Sequence, residues 1–485
     1  MLFNSIEYIL FLPLVFAVYW LLRKSVKWQN ITLLLVSYVF YAWWDWRFLF
    51  LLVIISLCSY ASGLMIARSN NWRLEIGNWK WSAKFWMVAN IVLDLGVLAV
   101  FKYYNFFVGS FAELFGLQSS IHSLKIVLPL GISFFTFQAI AYVVDVYKRK
   151  IEPTNFVDCL LYIGFFPKLL AGPIERPTNL IPQIQKERVF EYNLAVDGCR
   201  QMLWGLFKKV VIADNAALYV NQVYGDYANQ SGSTLLLAAI LYTIQIYGDF
   251  SGYSDMAIGS AKLLGFRFRD NFLFPYFSRN MNEFWRRWHI SLNTWFVDYV
   301  YIPIGGSRNG KWHTIRNIMI VFLLSGLWHG ADWSFVAWGA YHGLLLVLLI
   351  LMNRNTKYEH VVAYNCWYPS LKETGQMGLV FVLATIGWMM FRADNMAQFV
   401  DYTARMCSAD LLSIPKVQGY TILFMNIVLM FVIEWHMRRP KHGFDFQPRI
   451  NKLLYTAQRY TLYTLIFILI LLFGGHTENF IYTYF

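Results

Sequence analysis

The chain has 485 residues, of which 58% are hydrophobic and only 14% charged, with a formal net charge of +13 from 41 Lys+Arg against 28 Asp+Glu. A typical soluble domain carries about 25% charged residues, so this composition excludes an ordinary soluble protein. The basic excess does not call for nucleic acid, because many of the basic residues fall in short loops between apolar runs, as the positive-inside rule requires.

A spanning helix needs roughly 20 mostly apolar residues. Apolar runs recur from Ile6 to Phe473 with no polar linker between them, which predicts one all-α polytopic membrane domain over 1–485. The first run, Ile6 to Leu22, has no basic stretch before it and no small-residue cleavage site after it, so it is expected to be a retained helix rather than a signal peptide. Arg23, Lys24 and Lys27 follow it and put its N-terminus on the outer side. Runs at 29–44, 47–67, 85–108 and 126–147 come next; Arg68 and Arg73, then Lys148-Arg149-Lys150, bring the chain back to the cytoplasmic side in agreement with that orientation. The 157–171 run ends in Pro167-Lys168-Leu169-Leu170-Ala171-Gly172-Pro173, which predicts a re-entrant or broken helix. Runs at 195–220, 233–264, 314–328, 332–352, 376–393, 418–436 and 459–474 complete the set and imply about eleven spans. Between them, residues 262–313 interleave charges with Trp285, Trp288 and Trp295. No span fits there, and an amphipathic helix from about 280 to 300, at the interface or folded into the protein, is predicted. The five cysteines form no CxxC pair and are odd in number, so neither a disulfide framework nor a metal site is expected, only core thiols.

An ionisable group in an apolar setting costs several kcal/mol unless it is paired or solvated, which makes each one a functional candidate. His329 lies in Ser325-Gly326-Leu327-Trp328-His329-Gly330 between two apolar runs. Gly326 and Gly330 flank it at a spacing that admits a close backbone or substrate. A near-neutral imidazole can take a proton from a hydroxyl or return one to a leaving group; the alternative is a histidine that hydrogen-bonds a neighbouring helix. His289 lies in Asn282-Glu283-Phe284-Trp285-Arg286-Arg287-Trp288-His289-Ile290-Ser291. On one helix Arg286, His289 and Asn293 would share a face, and Glu283 would pair with Arg287. Arg286 and Arg287 suit an anionic ligand, or lipid headgroups if the helix is merely interfacial. Asp249 and Asp255 interrupt the apolar run that begins at Leu235; pairing with an arginine in 267–287 is the expected role, with Gly248 and Gly252 marking unwinding or close packing. His342 is expected to be a packed or interfacial histidine, and no function is assigned to His122, His313, His360, His436, His442 or His476. There is no phosphate-binding loop, HExxH or GxSxG.

Together these stretches, with Phe165 to Ile174, Asp249-Phe250-Ser251-Gly252-Tyr253, the start Met1 to Tyr19 and the aromatic tail Phe480 to Phe485, resemble the membrane-bound O-acyltransferase (MBOAT) family, in its bacterial alginate O-acetylation branch. The resemblance runs over nearly the whole chain. It implies the MBOAT fold, with re-entrant and interfacial helices, in a bacterial inner membrane. It implies that His329 is the essential histidine and His289 the second polar position, with Arg286, Arg287, Trp288, Asp249 and Trp328 as candidate contacts to donor or substrate. It further implies transfer of an acetyl group from a cytoplasmic acyl thioester such as acetyl-CoA, with no bound cofactor, to an exported polysaccharide, through or beside a periplasmic SGNH-type acetyltransferase. A D-alanyl or other acyl transferase of the same family is the alternative within enzymes. A transporter would also carry intramembrane charges, but the two related halves common in transporters are not found.

Overall fold

A computed structural model describes residues 1–71, 82–116, 124, 126–355, 358, 360–417, 419–438, 452–475, 478 and 480. Arg73, His122, His442, His476 and residues 481–485 of the aromatic tail lie outside them. The described residues form helices and no strands. Among the described residues, six helices are long and apolar enough to cross a membrane: Arg47–Ser69, Ala83–Phe115, Gly232–Leu263, Trp333–Leu351, Leu371–Arg392 and Thr456–Phe473. Ile6–Leu21, Ile132–Tyr147 and Thr421–Met437 are shorter and equally apolar in character. Side-chain oxygens at Ser5, Ser25 and Ser82 accept from the first turns of the helices they precede, which satisfies donors that lipid could not. The first helix leaves Ile6, Leu10, Leu14 and Leu21 exposed along one face, as a lipid-facing helix would.

The chain divides into two compact units, Met1–Cys199 with Ala257–Arg269, and Arg200–Met256 with Asp270–Phe485. In the first, Tyr19 Oη donates to the Leu264 carbonyl (2.9 Å) and Trp20 Nε1 to that of Leu263 (3.1 Å), so two aromatic side chains close a helix C-terminus. Arg188 Nη2 donates to Asn30 Oδ1 (2.6 Å), and Asn30 Nδ2 to Asp158 Oδ1 (2.8 Å), which keeps a buried guanidinium partnered. The expected break in 157–171 falls at Phe165, extended between Phe156–Gly164 and Phe166–Leu169. The Phe166 N–H that this break frees donates to Ser37 Oγ (3.0 Å). Of the five cysteines only Cys159 is buried, while Cys199, Cys366 and Cys407 are exposed, which corrects the expectation of five core thiols. Hydropathy cannot separate a lipid- or solvent-facing thiol from a core one.

Gly232–Leu263, which belongs to the second unit as far as Met256, is the most enclosed of the six long helices, with 78% of its most apolar stretch buried. The helix runs unbroken through Gly248 and Gly252, so these glycines serve close packing rather than unwinding. Gly252 faces the Gly205 carbonyl, where an added Cβ would stand 2.6 Å away. Lys311–His329 and Trp333–Leu351 form a tight antiparallel pair. A Cβ on Gly326 would overlap the Phe335 carbonyl, and one on Gly339 the Phe322 carbonyl. This is the close backbone approach that the glycine spacing anticipated at Gly326.

Gly326→Val or Gly339→Val is expected to destabilise the protein by about 1–3 kcal/mol through overpacking. The check is the thermal unfolding midpoint of the detergent-solubilised protein. Gly378→Ala, where no atom lies within 4 Å of the new Cβ, should not lower that midpoint.

Candidate active site

The second unit gathers both candidate histidines at one cavity. Its lining is Trp285, Trp288, His289, Leu292, Asn293, Phe296, Val321, Phe322, Ser325 and His329. His329 ends the Lys311–His329 helix and is 4% exposed. Three aromatic rings meet its imidazole near edge-on: Trp328 at 4.9 Å, Trp338 at 5.0 Å and Phe391 at 5.3 Å. They fix the ring plane by contact. Ser325, one helical turn before His329, lines the same cavity.

His289 does not lie on a continuous helix. The predicted amphipathic helix over 280–300 is two short helices, Met281–Arg287 and Ile290–Phe296, followed by a π-helical turn at Val297–Tyr301. Trp288 is extended, and His289 is left-handed at φ 44, ψ 52. Arg286, His289 and Asn293 therefore do not share a helix face. The cause is a strand-like stretch alongside: Leu273 N–H donates to the Arg287 carbonyl (3.0 Å) and Ile290 N–H to the Asn271 carbonyl (2.9 Å), which replaces helix hydrogen bonds at the break. Asn293 Nδ2 caps the carbonyls of Trp285 and, at 2.9 Å, Trp288. A left-handed conformation in a non-glycine residue costs of order 1–3 kcal/mol and persists only where surroundings dictate it.

Asn271 dictates it here. Its Oδ1 accepts from Ser291 N–H (3.2 Å), Ser291 Oγ (2.9 Å) and His289 Nδ1 (3.1 Å), while its Nδ2 donates to Ser254 Oγ (3.0 Å). A backbone N–H can only donate, so the atom that meets Ser291 N–H is the amide oxygen, and His289 Nδ1 must carry a hydrogen. Burial pushes the His289 pKa down to about 3, so the ring is neutral. A neutral imidazole with hydrogen on Nδ1 presents Nε2 as an acceptor. Its ring also meets Phe250 edge-on at 4.6 Å.

The other candidates fall around this centre rather than in it. Trp288 lines the cavity and Trp328 packs between the two histidines, its ring 6.2 Å from His289. Arg287 pairs with Glu283 (2.8 Å), as the i,i+4 spacing predicted, and donates to the Leu273 carbonyl (3.2 Å). Arg279 joins the same carboxylate at 3.0 Å. Arg286 is exposed, and neither arginine lines the cavity. Asp249 is bound not by an arginine but by Lys209 (2.8 Å), which also holds Asp214 (2.7 Å), all three side chains at most 4% exposed. Asp255 likewise takes Lys208 (2.6 Å). Both lysines come from a π-helical stretch, Phe207–Ala213, that packs against Gly252. Two lysines inside the apolar 195–220 run were a readable signal for buried partners. Asn271 gave no such signal, since a lone Asn in a charged loop is unremarkable. His342 is fully buried, as expected of a packed histidine. Among the described residues no three His, Cys, Asp or Glu side chains gather as a metal site would need.

Comparison with known proteins bears on the family of the whole chain. The model of the MBOAT, membrane-bound O-acyltransferase family, matches residues 39–366. A probable alginate O-acetylase AlgI of Pseudomonas aeruginosa is 37% identical over 444 residues, covering 89% of this chain and 81% of that protein. A peptidoglycan O-acetyltransferase of Helicobacter pylori is 31% identical over 459 residues, covering 88% and 84%. A teichoic acid D-alanyltransferase of Bacillus subtilis is 29% identical over 286 residues, covering 54% and 68%.

Removing one partner of a buried ion pair strands a charge and costs about 3–5 kcal/mol. Lys209→Met leaves Asp214 and Asp249 facing each other without their cation. It is expected to abolish a monodisperse detergent-solubilised species by size-exclusion chromatography, whereas Arg286→Met should leave the elution profile unchanged.

Proposed function

Because this chain belongs to the membrane-bound O-acyltransferase family and is a multi-pass membrane O-acyltransferase, we propose that the cavity shared by His289 and His329 is its acyl-transfer centre. The observation that carries this is the meeting of the two histidines at one cavity from segments forty residues apart in sequence. The donor is a cytoplasmic acyl thioester, acetyl-CoA or a similar acetyl carrier, and the acceptor is a hydroxyl of an exported, alginate-like polysaccharide. The length matched to relatives named as alginate O-acetylases supports acetyl over D-alanyl transfer. The protein sits in the inner membrane with its N-terminus outside, and a periplasmic SGNH-type acetyltransferase works beside it or receives the acetyl group.

In this reading His329 is the general base. Its imidazole takes the proton of the acceptor hydroxyl as that oxygen attacks the thioester carbonyl. The new C–O bond forms, the tetrahedral centre collapses, the C–S bond breaks, and the imidazolium returns its proton to the departing thiolate. The reacting hydroxyl has one proton, and His329 takes it. The Nε2 of a neutral His289 is an acceptor, so it suits a neighbouring hydroxyl of the sugar and orients the acceptor. Stabilising the oxyanion would require an N–H at that nitrogen. The Ser325 hydroxyl, at the same cavity, has a proton to donate. Arg287, engaged by Glu283, holds the break in place, which leaves Arg286 as the candidate for the donor's phosphates.

His329→Ala, at normal membrane abundance, is expected to lower transfer by about 10²–10⁴-fold, read as O-acetyl content of the exported polymer by mass spectrometry; retained acetylation sinks the assignment. The same spectra identify the transferred group, and D-alanyl esters in place of acetyl would replace the acyl donor proposed here.

At His289, Asn tolerates the left-handed backbone and keeps an acceptor oxygen. His289→Asn should therefore retain more activity than His289→Ala. A ring held neutral above about pH 3 does not titrate in the working range, so His289→Asn should leave the acid limb of the pH–rate profile in place. A shifted limb would show that His289 exchanges the catalytic proton.

A further inference from the structure

We infer that the cavity at His289 and His329 holds one water molecule where the acceptor hydroxyl will bind, and that this water takes the acyl group when no acceptor is present. This rests on the reading of the cavity as the acyl-transfer centre and adds an activity to it, hydrolysis of the donor thioester.

The first observation is size. The cavity has about 10 Å³ of room, roughly what one water molecule needs. A thioester or a sugar exceeds that room, so either enters only as the lining parts, and a water is what the site admits before then.

The second is polarity. Dry cavities are apolar, and a buried water needs about two to four polar partners. The lining supplies the indole of Trp285, the Ser325 hydroxyl and the rings of His289 and His329. Trp285 is 8% exposed, yet no described residue accepts from its Nε1. A buried indole N–H ordinarily has a partner, and leaving it without one is costly. The ring is not free to turn elsewhere. Phe322 at 5.4 Å, Trp338 at 5.6 Å and His342 at 4.9 Å meet it close to edge-on, and its own carbonyl accepts from Asn293 Nδ2.

Donors and acceptors also match. An indole N–H can only donate, so it meets the oxygen of the water. The Nε2 of His289 accepts one hydrogen, and the imidazole of His329, the general base of the proposed transfer, accepts the other. When a thioester arrives without an acceptor, the water oxygen attacks its carbonyl carbon as His329 takes a proton. The C–O bond forms, the tetrahedral centre collapses, the C–S bond breaks, and the imidazolium returns its proton to the thiolate. The products are a free thiol and a carboxylic acid. An acceptor hydroxyl in the same place expels the water, so transfer and hydrolysis exclude one another.

The test uses the full-length protein in lipid nanodiscs, acetyl-coenzyme A as donor, alginate as acceptor and water labelled in oxygen. Without alginate the wild type should form labelled acetate, and His329→Ala should form it about 100-fold more slowly. Alginate at about ten times its KM should lower acetate formation about 10-fold by mass action, while ester accumulates. Trp285→Phe keeps a ring and removes the N–H. The water is held by its few bonds alone, whereas a sugar hydroxyl is also placed by the rest of its polymer. The ratio of acetate to ester should therefore fall about 2–10-fold in that variant, the worth of one hydrogen bond. Should the variant fail to fold, the wild-type measurements decide alone. Acetate formed at a rate indifferent to alginate, no labelled acetate from a protein that makes the ester, or a folded Trp285→Phe with the wild-type ratio overturns the water and leaves the acyl-transfer reading standing. A wild type that makes neither acetate nor ester, or His329→Ala that makes both as fast as the wild type, overturns the reading and the water with it.

Discussion

The side-chain amide of Asn271 holds three donors on one oxygen: the Ser291 backbone, the Ser291 hydroxyl and the His289 ring. A helix cannot continue through His289 while these bonds exist, because its left-handed backbone is what presents Nδ1 to the amide. The same bond selects the tautomer and so decides which ring nitrogen is left to accept. The neighbouring Ile290 N–H and Arg287 carbonyl, orphaned by the break, are taken up by Asn271 and Leu273 of the adjoining stretch. Geometry, tautomer and backbone satisfaction at the candidate site thus trace to one loop.

The same unit holds charges that the membrane would otherwise forbid. Lys209 is shared between Asp214 and Asp249, Lys208 takes Asp255, and Tyr247 Oη donates to Glu434 (2.8 Å). Glu283 is closed by Arg279 and Arg287. Such groups do not stabilise the fold relative to an apolar core, since desolvation offsets most of the attraction. They do make one arrangement much better than its competitors, because any slip strands a charge in a medium that cannot solvate it. Phe480 lies on Tyr253 at 4.4 Å and near Phe250 at 6.0 Å, so the end of the described chain packs on the ring that meets His289.

Aromatic rings perform a different task. His329 is met by three ring edges, and Trp285, Trp338, Trp388 and His342 continue that packing behind the cavity. Rings fill volume with few rotatable bonds, which keeps a small cavity small. The paired glycines at 326 and 339 bring the two helices that carry His329 and Trp338 into backbone contact, and this sets the distance between those two rings.

Hydropathy and charge are local quantities, and what depends on them was legible along the chain. Composition alone gave a helical membrane protein, the apolar runs gave the order of helices, and the proline-rich end of 157–171 gave the break near Phe165. His329 stood out because an ionisable group in an apolar run is costly, His289 was picked out by the motif it shares with the family, and the Glu283–Arg287 pair followed from its spacing. Tertiary structure decided the rest. The helix expected over 280–300 is broken because Asn271, eighteen residues before His289, competes for its hydrogen bonds. The aspartates chose lysines over arginines because a distant π-helical stretch packs against Gly252 and brings them within reach. A local pattern records what a residue needs, a partner or a dry neighbour; which residue meets that need depends on contacts between segments far apart in the chain, and only the folded packing fixes those.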